Sequence, residues 1–269
     1  MATGLSALTS LEYFRLEYDY PPPRPSIENR SPPPRPLTRF DLLSLTKIRF
    51  KGASEYLEEI LARIDAPRLN ELLITFFNQI IFDTPQLFQL ISRRPTLSAL
   101  EKGHILFDHR LVIVKFPSQI SNNNRVLSVA IPCTALEWRI SSLEQVCTTS
   151  LPPVSTLEDL YIYEGSSMRP RWQNNVENTL WLELLRPFAA VKNLYLDERI
   201  AERITPALQE LVEARTTEVL PTLENIFLKR PQVGPSILFQ EGIEKFFAAR
   251  QLTNRPVTVS RWDGMPHWF

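Results

Sequence analysis

Glycine is scarce in this chain: seven among 269 residues. None lie close enough together for a G-x-G-x-x-G or Walker-type phosphate loop, and no G-x-S-x-G nucleophile elbow is present. Two cysteines, Cys133 and Cys147, are too few for a disulfide framework and fit a reducing compartment. Thirty basic residues balance thirty acidic ones, so no overall field draws the chain to nucleic acid or to an anionic membrane. No apolar run approaches the ~20 residues of a membrane span. The opening Met1-Ala2-Thr3-Gly4-Leu5 lacks the charged start of a signal peptide. The expectation is an intracellular protein, cytoplasmic or nuclear, that binds neither nucleic acid nor membrane.

Histidine is nearly absent too. Of three, His104 and His109, with Asp108 between them, come nearest to a metal or acid–base cluster. If 104–107 is a strand and 108–109 its turn, the two rings need not face one point. A polar hairpin turn is the plainer reading, and an enzyme using it is the alternative. No metal or cofactor is expected. Glu58-Glu59 and Glu241 to Glu244 read as solvated helix faces.

What the chain has in quantity is one phrase, L-x-x-L-x-L. It begins at Leu11, Leu45, Leu69, Val191 and Leu223, and is clearest in Leu157-Glu158-Asp159-Leu160-Tyr161-Ile162. A weaker copy runs from Val126 to Ile131. Alternation of this kind predicts short strands with one buried edge. Apart from one wide gap between residues 69 and 126, the copies start 24 to 34 residues apart, the period of a repeat architecture. Helical patterns fall between them, at Glu55–Ile64 with Ser54 as N-cap, after Thr84-Pro85, at Ile140–Cys147, and over 175–185, 198–214 and 237–250. Pro206 marks a kink or a second start. The stretch 97–131 reads as an irregular repeat carrying a hairpin.

Proline has its own segment. Pro-Pro-Pro-Arg-Pro occurs at 21–25 and again at 32–36, which predicts an extended loop inserted at 20–37. Arg30, Pro33 and Pro36 fit R-x-x-P-x-x-P, the pattern of a polyproline ligand; a solvated insertion is the other reading.

These phrases, with Leu180-Trp181-Leu182-Glu183-Leu184-Leu185-Arg186-Pro187-Phe188, Ala207–Leu211, Leu220–Leu228, Phe246–Leu252 and Val259-Ser260-Arg261-Trp262, resemble the leucine-rich-repeat region of fungal F-box-type proteins. The resemblance covers roughly residues 8 to 262. It implies a single domain over 1–269, an α/β leucine-rich-repeat-like solenoid with a curved parallel sheet inside and helices outside. It also implies a non-enzymatic protein-interaction module, the substrate-reading part of a ubiquitin-ligase receptor. Two departures stand out. The turn positions that usually hold Asn or Cys are Asp19, Ala53, Phe77, Gly165, Arg199 and Pro231. Nothing resembles the Leu-Pro-x-Glu opening of an F-box, so adaptor binding is not expected. A truncated remnant without a partner is the competing reading.

Within each phrase the residue between the last two apolar positions points away from the core. These are Arg15, Arg49, Leu73, Ala130, Tyr161, Tyr195 and Phe227. The next outward set is Glu17, Lys51, Thr75, Pro132, Tyr163, Asp197 and Lys229. In-register stacking would gather Arg15, Lys47, Arg49 and Lys51 at one end and the aromatics toward the other. Aromatics beside charge are the residue types of interface hot spots. Arg15, Arg49, Lys51, Tyr161, Tyr163, Tyr195, Asp197 and Phe227 are therefore the candidate contacts for a protein partner, unless flanking loops or the tail cover them.

Overall fold

The computed structural model describes residues 10–19, 39–77, 79, 81–98, 100–118, 125–151, 154–165, 176–213, 219–229, 237–252 and 255–262. Each phrase becomes a strand whose alternate apolar residues enter the core. Ile48 and Phe50, Leu72 and Ile74, Leu160 and Ile162, and Leu194 and Leu196 are all buried. The strands are β1 (Tyr13–Glu17), β2 (Phe40–Asp41), β3 (Lys47–Gly52), β4 (Ile64–Asp65), β5 (Glu71–Phe76), β6 (Lys102–Asp108), β7 (Leu111–Ser118), β8 (Arg125–Pro132), β9 (Asp159–Glu164), β10 (Asn193–Leu196), β11 (Asn225–Lys229) and β12 (Thr258–Trp262). Ten of them form one open sheet in the order β1-β3-β5-β8-β7-β6-β9-β10-β11-β12, while β2 and β4 pair separately.

All pairings in the large sheet are parallel except those of β7. The short turn at His109 and Arg110 forces β7 to run back along β6, because only a crossover can return a chain parallel to itself. The result is a meander of β6, β7 and β8 in the middle of the sheet. It accounts for the wide gap between phrases and settles the pairing of 97–131. It also breaks the sequential order of a simple repeat array: β8, not β6, lies against β5, and β6 lies against β9. The architecture is a mixed α/β fold with a large, mostly parallel sheet.

The helices are α1 (Ser54–Leu61), α2 (Pro85–Ser92), α3 (Pro95–Ser98), α4 (Leu136–Gln145), α5 (Asn178–Leu185), α6 (Glu198–Glu213) and α7 (Ile237–Leu252), with a π-helical turn over Val146–Ser150. Their buried residues join the inward residues of the strands in one core. Trp181 of α5 meets Phe107 of β6 edge-on at 5.6 Å, the aromatic geometry that pairs a ring's positive edge with a negative face. Pro206 sits within α6 without ending it.

Several end-groups differ from expectation. Ser54 is the first helical residue, not the cap; Ala53 holds that place, and the Ser54 hydroxyl accepts a bond from Gln79 Nε2 at 2.7 Å. Thr84 does precede α2, but its hydroxyl pairs with that of Ser150. Glu58 is no solvated face residue. Its carboxylate accepts the N–H groups of Gln86 and Leu87 at 2.7 and 2.9 Å, satisfying orphan donors at the start of α2 from a neighbouring helix. Burial holds that carboxyl above its ordinary range.

The last strand is the exception to the core pattern. Val259 of β12 pairs with the buried Ile226, yet it is 39 % exposed, whereas Leu194 at the same point of β10 is 0 % exposed. Leu194→Ala is therefore expected to cost about 2–5 kcal/mol, and Val259→Ala below about 1 kcal/mol, in urea unfolding. Equal costs would show that β12 is packed like an interior strand.

Candidate partner-binding face

Strand pairing assembles an outward row from residues far apart in sequence: Arg15, Arg49, Leu73, Ser128, Lys115, His104, Tyr161, Tyr195, Phe227 and Ser260. Ser128 stands where Ala130 was expected, and Ala130 replaces Pro132 in the next row, facing Thr75. The shift is two residues. A two-residue slip leaves every side chain on its own face, so alternation alone could not decide between the registers. Leu127 and Val129 align with Leu72 and Ile74.

At one end the four expected cations do share neighbouring strands, with Lys51 opposite Glu17 in the pairing, but acids meet three of them. Glu17 takes Arg15 at 2.6 Å and Arg49 at 2.7 Å, and Glu71 takes Lys47 at 2.6 Å. The Arg15 bond holds the Glu17 carboxyl below its ordinary range. Exposed pairs of this kind contribute little stability; they fix side-chain positions on an open face. Lys47 also lies 5.5 Å from the Tyr13 ring centre.

At the other end the aromatics form a stack. His104 lies on Tyr161 at 4.5 Å, Tyr161 on Tyr195 at 4.1 Å and Tyr195 on Phe227 at 4.5 Å, all within 11° of parallel. Neighbouring strands lie about 4.8 Å apart, so rings in register have little choice but to stack. The stacking brings the phenols of Tyr161 and Tyr195 side by side. Burial pushes both phenols up, along with that of Tyr163, whose ring lies 6.3 Å from His104, edge to face. Trp262 of β12 reaches back across the sheet, 5.4 Å from Tyr195 and 5.6 Å from Tyr161, at 68° and 59° to their planes. The expected aromatic cluster is thus real, and it has two members that sequence reasoning left out, His104 and Trp262.

Beside the stack runs a ladder of polar side chains. Asn225 donates to Asn193 Oδ1 at 2.8 Å, and Asn193 to Asp159 Oδ1 at 2.7 Å. Thr258 donates to Asn225 Oδ1, and Lys102 stands 3.8 Å from the other Asp159 oxygen. Every donor in this chain points toward the carboxylate, an arrangement in which hydrogen bonds polarise one another. Its signal was in plain view: Asp159, Asn193 and Asn225 each precede the second apolar residue of the three best phrases.

Other candidates disperse. Asp197 accepts the N–H of Ile200 at 2.8 Å as the N-cap of α6, and that of Glu164 from β9; burial nevertheless raises its pKa. It joins the end of β9 to the start of α6, and its carboxylate is already engaged. His104 and His109 do not converge. The first is buried in mid-strand, the second sits exposed in the turn and bonds Asp108 at 2.9 Å. Among the described residues no group of three or more His, Cys, Asp and Glu could hold a metal ion. Cys133 and Cys147 are buried free thiols, and burial raises the pKa of Cys147. Arg30, Pro33 and Pro36 lie outside the described residues. No helix among the described residues is long and apolar enough to cross a membrane.

Compared with known proteins, the chain matches no family model, no curated protein and no solved structure.

The stack has a pH signature. Burial first, then Lys115 and Lys102, push the His104 pKa down to about 4, against about 6.5 in an unfolded chain. The folded protein therefore binds fewer protons than the unfolded one between these values. This contribution to stability is flat above pH 6.5, falls as pH drops toward 4, and levels below it. His104→Phe keeps an aromatic ring in the stack and removes the titration. In urea unfolding, the stability of the original chain relative to His104→Phe should fall by about 3 kcal/mol between pH 7 and pH 4. A difference that stays constant would place His104 in a solvated setting.

Proposed function

We propose that this chain is a leucine-rich-repeat-like array that recognises a partner protein through the open face of its sheet. One observation carries the reading: four aromatic rings from four strands stand in a continuous stack on the side of the sheet away from the core. Rings that serve only as filling are normally placed inside. Flanking this stack are the amide ladder and, across the meander, arginines held in place by Glu17. Rigid aromatics ringed by fixed polar groups are the composition of a protein-binding hot spot.

The geometry also bears on the class of partner. Nucleobases and sugars bind aromatic platforms through ring faces. In this stack the faces of Tyr161 and Tyr195 are taken by their neighbours, and only edges point outward. A protein surface, with its mixture of apolar, carbonyl and aromatic groups, suits such edges better. In a ubiquitin-ligase receptor a face of this kind would be the substrate-reading half.

A photo-crosslinking amino acid placed at Phe227, and separately at exposed Glu183 on α5, tests which surface is used. In extract of the source cells, Phe227 is expected to capture specific protein bands and Glu183 none of them. Capture from the helix side alone would overturn the reading.

A further inference from the structure

On the reading just proposed, the face is not bare: Trp262 already occupies it. Tyr161 and Tyr195 are parallel within 9° and 4.1 Å apart, so no ring can slip between them. Trp262 stands at nearly equal distance from both and steeply inclined to both planes. Its indole therefore bridges the outer edges of the pair. Ring edges carry the positive part of the aromatic quadrupole and ring faces the negative part. Two edges side by side make a seat for an electron-rich face, which an aromatic residue supplies and a lysine or arginine does not.

Among the described residues, the strand that carries Trp262 is held from one side only. β12 is, among the described residues, the edge of the sheet and pairs with β11 alone. Thr258, Val259, Ser260 and Arg261 are all exposed, and Trp262 is its one partly buried residue. Beneath it, β11 is an edge that a different strand could join by the same hydrogen bonds.

We propose that β12 is a displaceable internal occupant, and that the partner of this face is an extended protein segment that takes its place on β11 and sets an aromatic side chain in the seat of Trp262. The pairing defines what such a segment needs. A hydroxyl or amide side chain opposite Asn225 would continue the ladder as Thr258 does. An aromatic residue four positions later would stand opposite Lys229 as Trp262 does. The residues between them face solvent and are free to vary.

The probe is a fluorescent six-residue peptide with the sequence of residues 257–262, Val-Thr-Val-Ser-Arg-Trp, and a control ending in Ala. The receptor is the full chain carrying Ser260→Pro and Trp262→Ala. Thr258 N–H bonds Glu224 O, and in a parallel ladder alternate residues donate, so proline at 260 removes the next such bond. The Trp peptide is expected to bind this variant at least tenfold more tightly than it binds the original chain, and at least tenfold more tightly than the Ala peptide does. Equal binding of the two peptides, or none, overturns the proposal. A second measurement needs no variant. Excess Trp peptide added to the original chain should raise hydrogen exchange several-fold at 258–262 and leave β9 and β10 protected; unchanged exchange overturns the proposal. A strand-exchanged dimer of the original chain in light scattering would also overturn it, by making a second copy the occupant. These outcomes separate from the fate of the recognition face. Crosslinks at Phe227 without peptide binding leave the face in use and remove only its strand-like partner.

Discussion

Parallel pairing in register, with strands about 4.8 Å apart, is the constraint from which the outward surface follows. The core requires alternate residues of every phrase to enter the same hydrophobic layer, and this requirement sets the register. Once register is set, the outward residues have no freedom to avoid one another. Like side chains on neighbouring strands are stacked whether or not stacking is their best geometry. The rings at Tyr161, Tyr195 and Phe227 stand face to face for this reason. The amides at Asn193 and Asn225 bond each other for the same reason. Arg15 and Arg49, which would otherwise repel, are held by the carboxylate of Glu17 between them. The outward face is a by-product of the core's periodicity, edited by choice of side chain.

Much of this was legible beforehand because it depends on a short period. Every phrase but the displaced copy at 126 became a strand in the expected register, and the aromatic and basic ends emerged where alternation placed them. What escaped depends on pairing between segments. His104 lies on a strand that no phrase announces, and it joins the stack only because β6 docks against β9. Trp262 reaches over two strands from the sheet edge, and no spacing rule encodes so long a reach. Glu58 looked like one more helix-surface acid, since a side chain that caps a different helix leaves no trace in its own local pattern. The shift at Ser128 shows the limit most plainly, because alternation is blind to a slip of two.

The amide ladder and the stack also divide labour. The ladder is saturated, each amide oxygen occupied by the donor of the next strand. It rigidifies the sheet and leaves little for a ligand to bind except at its ends. In the stack the faces of Tyr161 and Tyr195 are covered by their neighbours, and Trp262 spans their outer edges. On the proposed reading, selectivity falls to the ring edges that Trp262 now spans and to the ends of the ladder.

The meander has a mechanical consequence. Tension applied at the two ends of the chain would peel strands from opposite edges of the sheet, β1 first on one side and β12 on the other. From the C-terminal side peeling proceeds through β11, β10 and β9, and then the next strand along the chain is β8, still flanked by β5 and β7. From the N-terminal side it proceeds through β3 and β5 and then meets β6, enclosed by β7 and β9. Each route halts there until the other has removed the flanking strand, so β6, β7 and β8 are the last part of the sheet to separate and do so only after both edges have been peeled.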